Sequence, residues 1–268
     1  MSNDVILSTI KRDYIYRLAE QNKRVDGRDF NEYRKISIET NLIRKAEGSA
    51  RVKLGNTQVL VGVKLEIGEP YPDSPDKGVL TTSAELIPLA SPDFEAGPPD
   101  KDAIELARVV DRGIRESNVI DLEKLCIEPG EKVWIVFVDI HVLDYDGNLF
   151  DASSWASLAA LCTATVPAER FGLGENYSLP VNYEMPVSCT FVKFNKAIVL
   201  DPCLEEELIA EARLTVTTDK NGDIRAMQKG LGGSFTIDEV KKIIKTSIIK
   251  GAEVRKIIER SIKHGKAN

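Results

Sequence analysis

The order of elements in the sequence predicts an α+β fold made of a duplicated unit. Three observations carry this. Residues 35–67 alternate apolar and polar side chains at period two, broken at Glu47-Gly48 and Gly55-Asn56, as antiparallel strands joined by turns do. Residues 101–117 and 237–262 instead repeat apolar side chains at helical spacing. The series runs strands, helix, strand, helix, and then strands and a helix again, an order that a strictly alternating parallel fold does not give.

Residues 4–21 read as an amphipathic helix with Ile6, Ile10, Tyr14 and Leu18 on one face. A polar segment, NKRVDGRDFNEYR, leads to the strands KISIET, GSARVKL and TQVLVGVKLEI. Two loops rich in proline and acid, 68–79 and 91–100, flank a strand expected at Glu85 to Leu89. Asp100 then caps a helix in which Ala103, Leu106, Ala107, Val110 and Ile114 share one arc. Arg108, Arg112 and Arg115 fall within roughly 60° of each other on its opposite side. After Pro129-Gly130 comes an apolar, β-branched strand, VWIVFVDIHVL. The strands VSCTFVKF, KAIVL, ARLTVTTD and DIRAMQK follow, and then a long helix burying Val240, Ile243, Ile244, Ile248, Val254, Ile258 and Ile262. The chain reads as one domain over 1–268, with a first half at about 30–167 and a second at 187–268.

A chain of 268 residues that is 43% hydrophobic and 29% charged has ample material for a core. Its net charge of −6 excludes wrapping duplex DNA by bulk charge, so any nucleic-acid contact must come from a local basic patch. No apolar run approaches a membrane span and the N-terminus lacks a signal-peptide core, so a cytoplasmic location without membrane contact is expected. Cys126, Cys162, Cys189 and Cys203 form no paired motif, and His141 and His264 lack metal-ligand spacing. Neither a metal site nor a cofactor is expected.

The stretch from Asp144 to Ala160 is the centre of the functional reading. Asp146-Gly147-Asn148 supplies turn chemistry after a strand, and Asp151 or Ser153 can cap a helix carrying Trp155, Leu158, Ala159 and Cys162. A strand, a tight turn and a helix N-terminus make a place where an anion can bind. The side chains at that place, Leu149 and Phe150, do not suit one.

RVDGR at 24–28, Glu32-Tyr33-Arg34, AEGSARVKLGNTQVLVGV, LASPDFEAGPPD, ELARVVDRGIR and DYDGN occur in this order along nearly the whole chain. Together they resemble the RNase PH family of phosphorolytic 3′→5′ exoribonucleases, and more narrowly the non-catalytic RNase PH-like subunits of the archaeal exosome. The resemblance implies the RNase PH-like fold, a duplicated βα unit with mixed sheets packed against central helices. Active members carry a Gly-Thr-Arg or Gly-Ser-Arg phosphate loop directly after an Asp-Gly. Here Asn148, Leu149 and Phe150 stand at those positions, so a hydroxyl donor and a bidentate guanidinium are missing. Active members also carry an Asp-Met, and the matching pair is Arg213-Leu214, whose arginine cannot accept a proton at neutral pH.

The implied role is a catalytically silent subunit of an RNA-degrading complex; the alternatives are a phosphorolytic exoribonuclease active in its own right and a pure scaffold without RNA contact. Its implied partners are a catalytic RNase PH-like subunit, in a trimer of heterodimers, RNA-binding cap subunits on the ring, and RNA. Arg112 is the first candidate for an RNA phosphate contact, Arg115 the second, and Arg108 is assigned either to RNA or to packing. Arg24, Asp26 and Arg28 are expected to tie the first helix to the first strand by ion pairs. His141 is given a packing role, and Phe150 is assigned either to the vacated phosphate pocket or to the core as an ordinary aromatic at a helix start. Asp151, Asp201, Glu205, Glu206 and Glu207 are read as a cap and a solvated acidic helix.

Overall fold

A computed structural model describes residues 3–265, with side chains described from Lys11 onward. Helix α1 (Asn3–Glu20) precedes an antiparallel meander of β1 (Ile36–Thr40), β2 (Gly48–Leu54) and β3 (Thr57–Gly68). Strand β4 (Val79–Leu86) lies upstream of the strand expected at Glu85 to Leu89. Pro88 has no N–H for a ladder, so the chain turns, with the Ala90 amide donating to Ile87 O at 2.9 Å, and Leu89 is 79% exposed.

Helix α2 (Lys101–Glu116) starts at Asp100, whose carboxylate accepts from the Asp102 and Ala103 amides at 3.1 and 2.8 Å. A short β5 (Cys126–Glu128) leads into β6 (Lys132–Asp144), which runs antiparallel to β3 and parallel to β4. The first sheet is therefore mixed, in the order β1-β2-β3-β6-β4. Trp134, Val136, Val138, Ile140 and Val142 point to the core from alternate positions of β6. Helix α3 (Leu149–Thr163) follows, with the small pair β7 (Thr165–Val166) and β8 (Tyr177–Ser178).

The second sheet is antiparallel and has the order β10-β9-β11-β12. It is built from β9 (Val187–Phe194), β10 (Ala197–Leu200), β11 (Ala212–Thr218) and β12 (Ile224–Gly230), with the short α4 (Leu204–Leu208) between β10 and β11. Helix α5 (Ile237–Gly265) ends the described chain. Three helices lie between the sheets. Helix α3 packs on β2 and β3 on one side and on β9 on the other, α2 joins β4 to β12, and α5 covers β1, β9 and β11. Because α3 is enclosed, residues 149–162 are all buried, and its small residues are what permit the fit. This is the α+β fold with central helices that the sequence implies.

Two helix faces differ from expectation. In α1, Tyr14 is 57% exposed and Ile15 is buried against Phe194 and Val199 instead; Ile6 and Ile10 lie outside the described side chains. The turn of the helix is set by Tyr16, which stacks on Phe194 and donates to Glu211 at 3.1 Å. In α5, Ile248 is 37% exposed, while Ser247 and Gly251 take the inner positions. A Cβ on Gly251 would meet Thr218 Oγ1 at 2.9 Å, so close approach to the second sheet demands a residue without one.

Candidate functional site

The turn after β6 is held from both halves of the chain. Gly147 has φ +88°, and Asn148 is left-handed at φ 56°. Asn148 is the helix cap, with its side chain accepting from the Asp151 amide at 3.4 Å, so neither Asp151 nor Ser153 caps α3. The left-handed cap is a conformation that Asn tolerates and that brings its amide group inward. From there Asn148 Nδ2 donates to Asp151 at 3.0 Å and to Asp201 at 2.8 Å. Leu149 and Phe150 form the first helical turn and are buried.

Asp151 is fully buried rather than a cap. Its carboxylate accepts from the Tyr33 hydroxyl at 3.0 Å and from the Thr190 amide and hydroxyl at 3.0 and 2.7 Å. Burial nevertheless dominates and pushes its pKa up to about 7. A carboxyl raised in the folded state keeps its proton longer there than in the unfolded chain, so its contribution to stability falls as pH rises from the ordinary carboxylate range through about 7. The urea midpoint of wild type relative to Asp151→Asn is expected to be lower at pH 8 than at pH 5.

Asp201 is likewise fully buried. It accepts from Arg28 at 2.9 Å, from Arg34 at 2.8 Å and from the Arg34 amide at 2.8 Å. Arg34 also reaches Asp146 O and Gly147 O, at 2.5 and 3.1 Å, and fastens the turn. Arg24, Arg28 and Asp26 are structural as expected, yet Arg24 and Arg28 pair with Glu206 and Asp201 of the second half rather than bridging α1 to β1. Folding back of the 24–34 segment creates these contacts, across more than 170 residues.

The three successive glutamates of α4 occupy three environments, which corrects their reading as one solvated face. Glu205 is half-exposed and pairs with Lys11 at 3.3 Å. Glu206 is buried against Arg24. Glu207 accepts from the Asn148 amide at 2.9 Å and the Tyr145 hydroxyl at 2.8 Å. A carboxylate of the chain thus occupies the amide that the turn offers, and its burial raises its pKa. Consecutive residues of a helix point about 100° apart, so a run of identical letters does not reveal which one turns inward.

Arg213 comes to the same place from β11. Its guanidinium carbon lies 4.0 Å from the centre of the Phe150 ring, and it forms an ion pair with Glu105 of α2 at 2.5 Å. Phe150, Leu149, Glu207, Tyr145 and Arg213 all line one cavity of about 300 Å³, with Asp93, Asp100, Asp102 and Glu105 around it. The two departures read from the sequence, 63 residues apart, are in contact. His141 lies elsewhere, on a half-exposed sheet face, where Nδ1 is 3.3 Å from Glu85; it does not take the packing role expected of it.

The arginine stripe of α2 borders a second concavity of about 450 Å³, lined by Arg108, Arg112, Lys101, Ile104, Glu105 and Gln228. Arg112 is exposed and donates to Gln228 at 3.0 Å. Arg115 donates twice to Asp111, at 3.0 Å each, and to Leu80 O at 3.1 Å. Arg108 is exposed and makes no side-chain hydrogen bond or ion pair among the described residues. Arg108 is accordingly the cation with most freedom to meet an outside anion, and Arg115 the one most engaged. No group of three or more His, Cys, Asp and Glu side chains among the described residues is placed to hold a metal ion. No described helix is long and apolar enough to cross a membrane.

The model of the 3′ exoribonuclease family matches this chain twice, its domain 1 over residues 32–167 and its domain 2 over residues 184–250. The chain belongs to the 3′ exoribonuclease, or RNase PH, family. Exosome complex component Rrp42 of Methanocella arvoryzae is 57% identical over 259 residues, covering 97% of this chain and 99% of that protein. Among solved structures, the Archaeoglobus fulgidus exosome with RNA bound to the active site contains a chain that superposes with a TM-score of 0.91 at 56% identity, over 94% of this chain and 98% of that one. A chain of an archaeal exosome core superposes with a TM-score of 0.89 at 51% identity, over 96% and 100%. Within the RNase PH family, then, this chain carries an aromatic–guanidinium stack beside its Asp-Gly turn.

Proposed function

We propose that this chain is the non-catalytic RNase PH-like subunit of an archaeal exosome-type ring. It pairs with a catalytic RNase PH-like subunit, completes that subunit's RNA-binding cleft and builds a trimer of heterodimers on which RNA-binding cap subunits sit. Closed rotational symmetry leaves no open interface in such a ring. The working place is the cytoplasm. The observation that carries the silent role is the stack of Arg213 on Phe150. A phosphate approaching the turn meets a ring face, an aliphatic side chain and the Glu207 carboxylate, and a guanidinium stands where a proton acceptor is needed.

Arg108 and Arg112 are the residues through which the chain holds RNA, by its backbone and without reading sequence. Arg115 has a supporting part, holding Asp111 and β4 in place.

The purified chain given RNA and inorganic phosphate is expected to release no nucleoside diphosphate, and the complex with a catalytic RNase PH-like subunit to release it at full rate. Release by the chain alone, abolished by Glu207→Ala, overturns the proposal. In the assembled complex, replacing Arg108 and Arg112 together by Ala should flatten the slope of log affinity against log salt by about 1.4, because each single-strand phosphate contact contributes about 0.7.

A further inference from the structure

The acidic net charge of the chain is not spread evenly. At 100° per residue, Lys241, Lys242, Lys245, Lys256, Arg260 and Lys263 fall within a roughly 100° arc of α5. All six are exposed, and the arc lies opposite the buried stripe of Ile243, Val254, Ile258 and Ile262. Asp238 and Glu259 are the acids of that arc. Lys241 lies 3.8 Å from Asp238, whereas Lys242, Lys245, Lys256, Arg260 and Lys263 make no side-chain hydrogen bond or ion pair among the described residues. From Lys242 to Lys263 the stripe is about 31 Å long at 1.5 Å rise per residue. By contrast, Glu253 is taken by Lys250 and Glu239 by Lys193, so neighbouring acids are already neutralised by cations outside the arc.

We propose that this face of α5 is a second RNA-backbone contact, separate from the α2 arginines. Its ligand is the phosphate chain of single-stranded RNA, and the inference rests on the chain acting within an RNA-degrading complex. Charge complementarity decides the occupant. A docking protein of ordinary strength needs an aromatic or apolar anchor in a pocket, and the arc offers only Ile249 among its lysines. A polyanion needs only a straight line of unpaired cations, which the arc provides. The absence of an aromatic residue from the arc makes the contact insensitive to base identity, since no ring is present for bases to stack on.

The test compares three forms of the assembled complex: wild type, Arg108→Ala with Arg112→Ala, and a quadruple variant with Lys242, Lys245, Lys256 and Arg260 changed to Ala. Fluorescein-labelled oligoadenylates of 10 and 40 nucleotides are titrated at several salt concentrations. The α5 variant is expected to bind the 40-mer at least tenfold more weakly and to flatten its salt slope by about 2 or more, from about 0.7 per phosphate lost. Its affinity for the 10-mer should be unchanged, and arginine in place of the three lysines should restore the 40-mer. Wild-type affinity and slope in the α5 variant, with loss in the α2 variant, overturn the inference alone. Loss in neither variant overturns it together with the RNA-binding role proposed above. If the α5 variant instead loses ring mass, or loses only binding to vesicles containing phosphatidylserine, the face belongs to a protein or a membrane and the inference fails.

Discussion

Arg24→Ala is expected to destabilise the chain by about 3–5 kcal/mol, as removal of one partner from a buried ion pair does. Arg24 and Glu206 have side chains 0% and 1% exposed. The guanidinium donates to Glu206 at 2.9 and 2.5 Å, to Leu200 O at 2.9 Å and to Asp201 O at 2.8 Å. Truncation leaves the buried Glu206 carboxylate without its counter-charge, with only the Cys203 amide still donating to it among the described residues, and takes the guanidinium donor from Leu200 O, and that desolvation cost outweighs the lost attraction. The double variant Arg24→Met with Glu206→Leu removes both charges together. It should recover more than half of the loss, although the Cys203 amide, which donates to Glu206 at 3.0 Å, then goes unpaired. Urea unfolding of the three forms measures this. A single variant within about 1 kcal/mol of wild type would show that the pair is not enclosed.

Gly147→Ala is expected to cost about 3 kcal/mol. An L side chain at φ +88° carries a penalty of about 1–2 kcal/mol by itself. The new Cβ would also stand 2.5 Å from Pro202 O and 2.6 Å from the Cys203 carbonyl carbon, both backbone atoms, so the strand-to-helix turn and the start of α4 must separate. Overpacking of that kind adds about 1–3 kcal/mol. Gly130→Ala is the control. Its φ is +81° with open space around it, so only the conformational penalty applies. Equal losses at the two positions, measured by urea unfolding, would refute the close packing of α4 on the turn.

The strand and helix periods were legible because each is written in neighbouring residues. Val59, Val61, Val63 and Leu65 face inward at period two, and Leu106, Val110 and Ile114 at helical spacing, whatever the rest of the chain does. Local rules erred where a neighbour remote in sequence sets the rotation of an element. Tyr16 on Phe194 and Glu211 turns Tyr14 outward, and Asn148 caps α3 because Asp151 is drawn inward by Thr190 and Tyr33.

The turn at 146–150 shows the same division. The order of motifs singled out Leu149, Phe150 and Arg213 as residues of one expected site. Tertiary structure alone set Arg213 on the Phe150 ring, with Glu105 beyond it, and brought Glu207 to the Asn148 amide. The sequence by itself determined the elements, their order and the side chains that follow the Asp-Gly turn, since these are properties of short stretches. Which of Glu205, Glu206 and Glu207 meets solvent, which meets Arg24 and which meets the turn was decided only by the packing of α4 against the 145–148 turn, β9 and the 24–34 segment. Burial is a property of every element around a residue at once, and no single stretch of chain contains it.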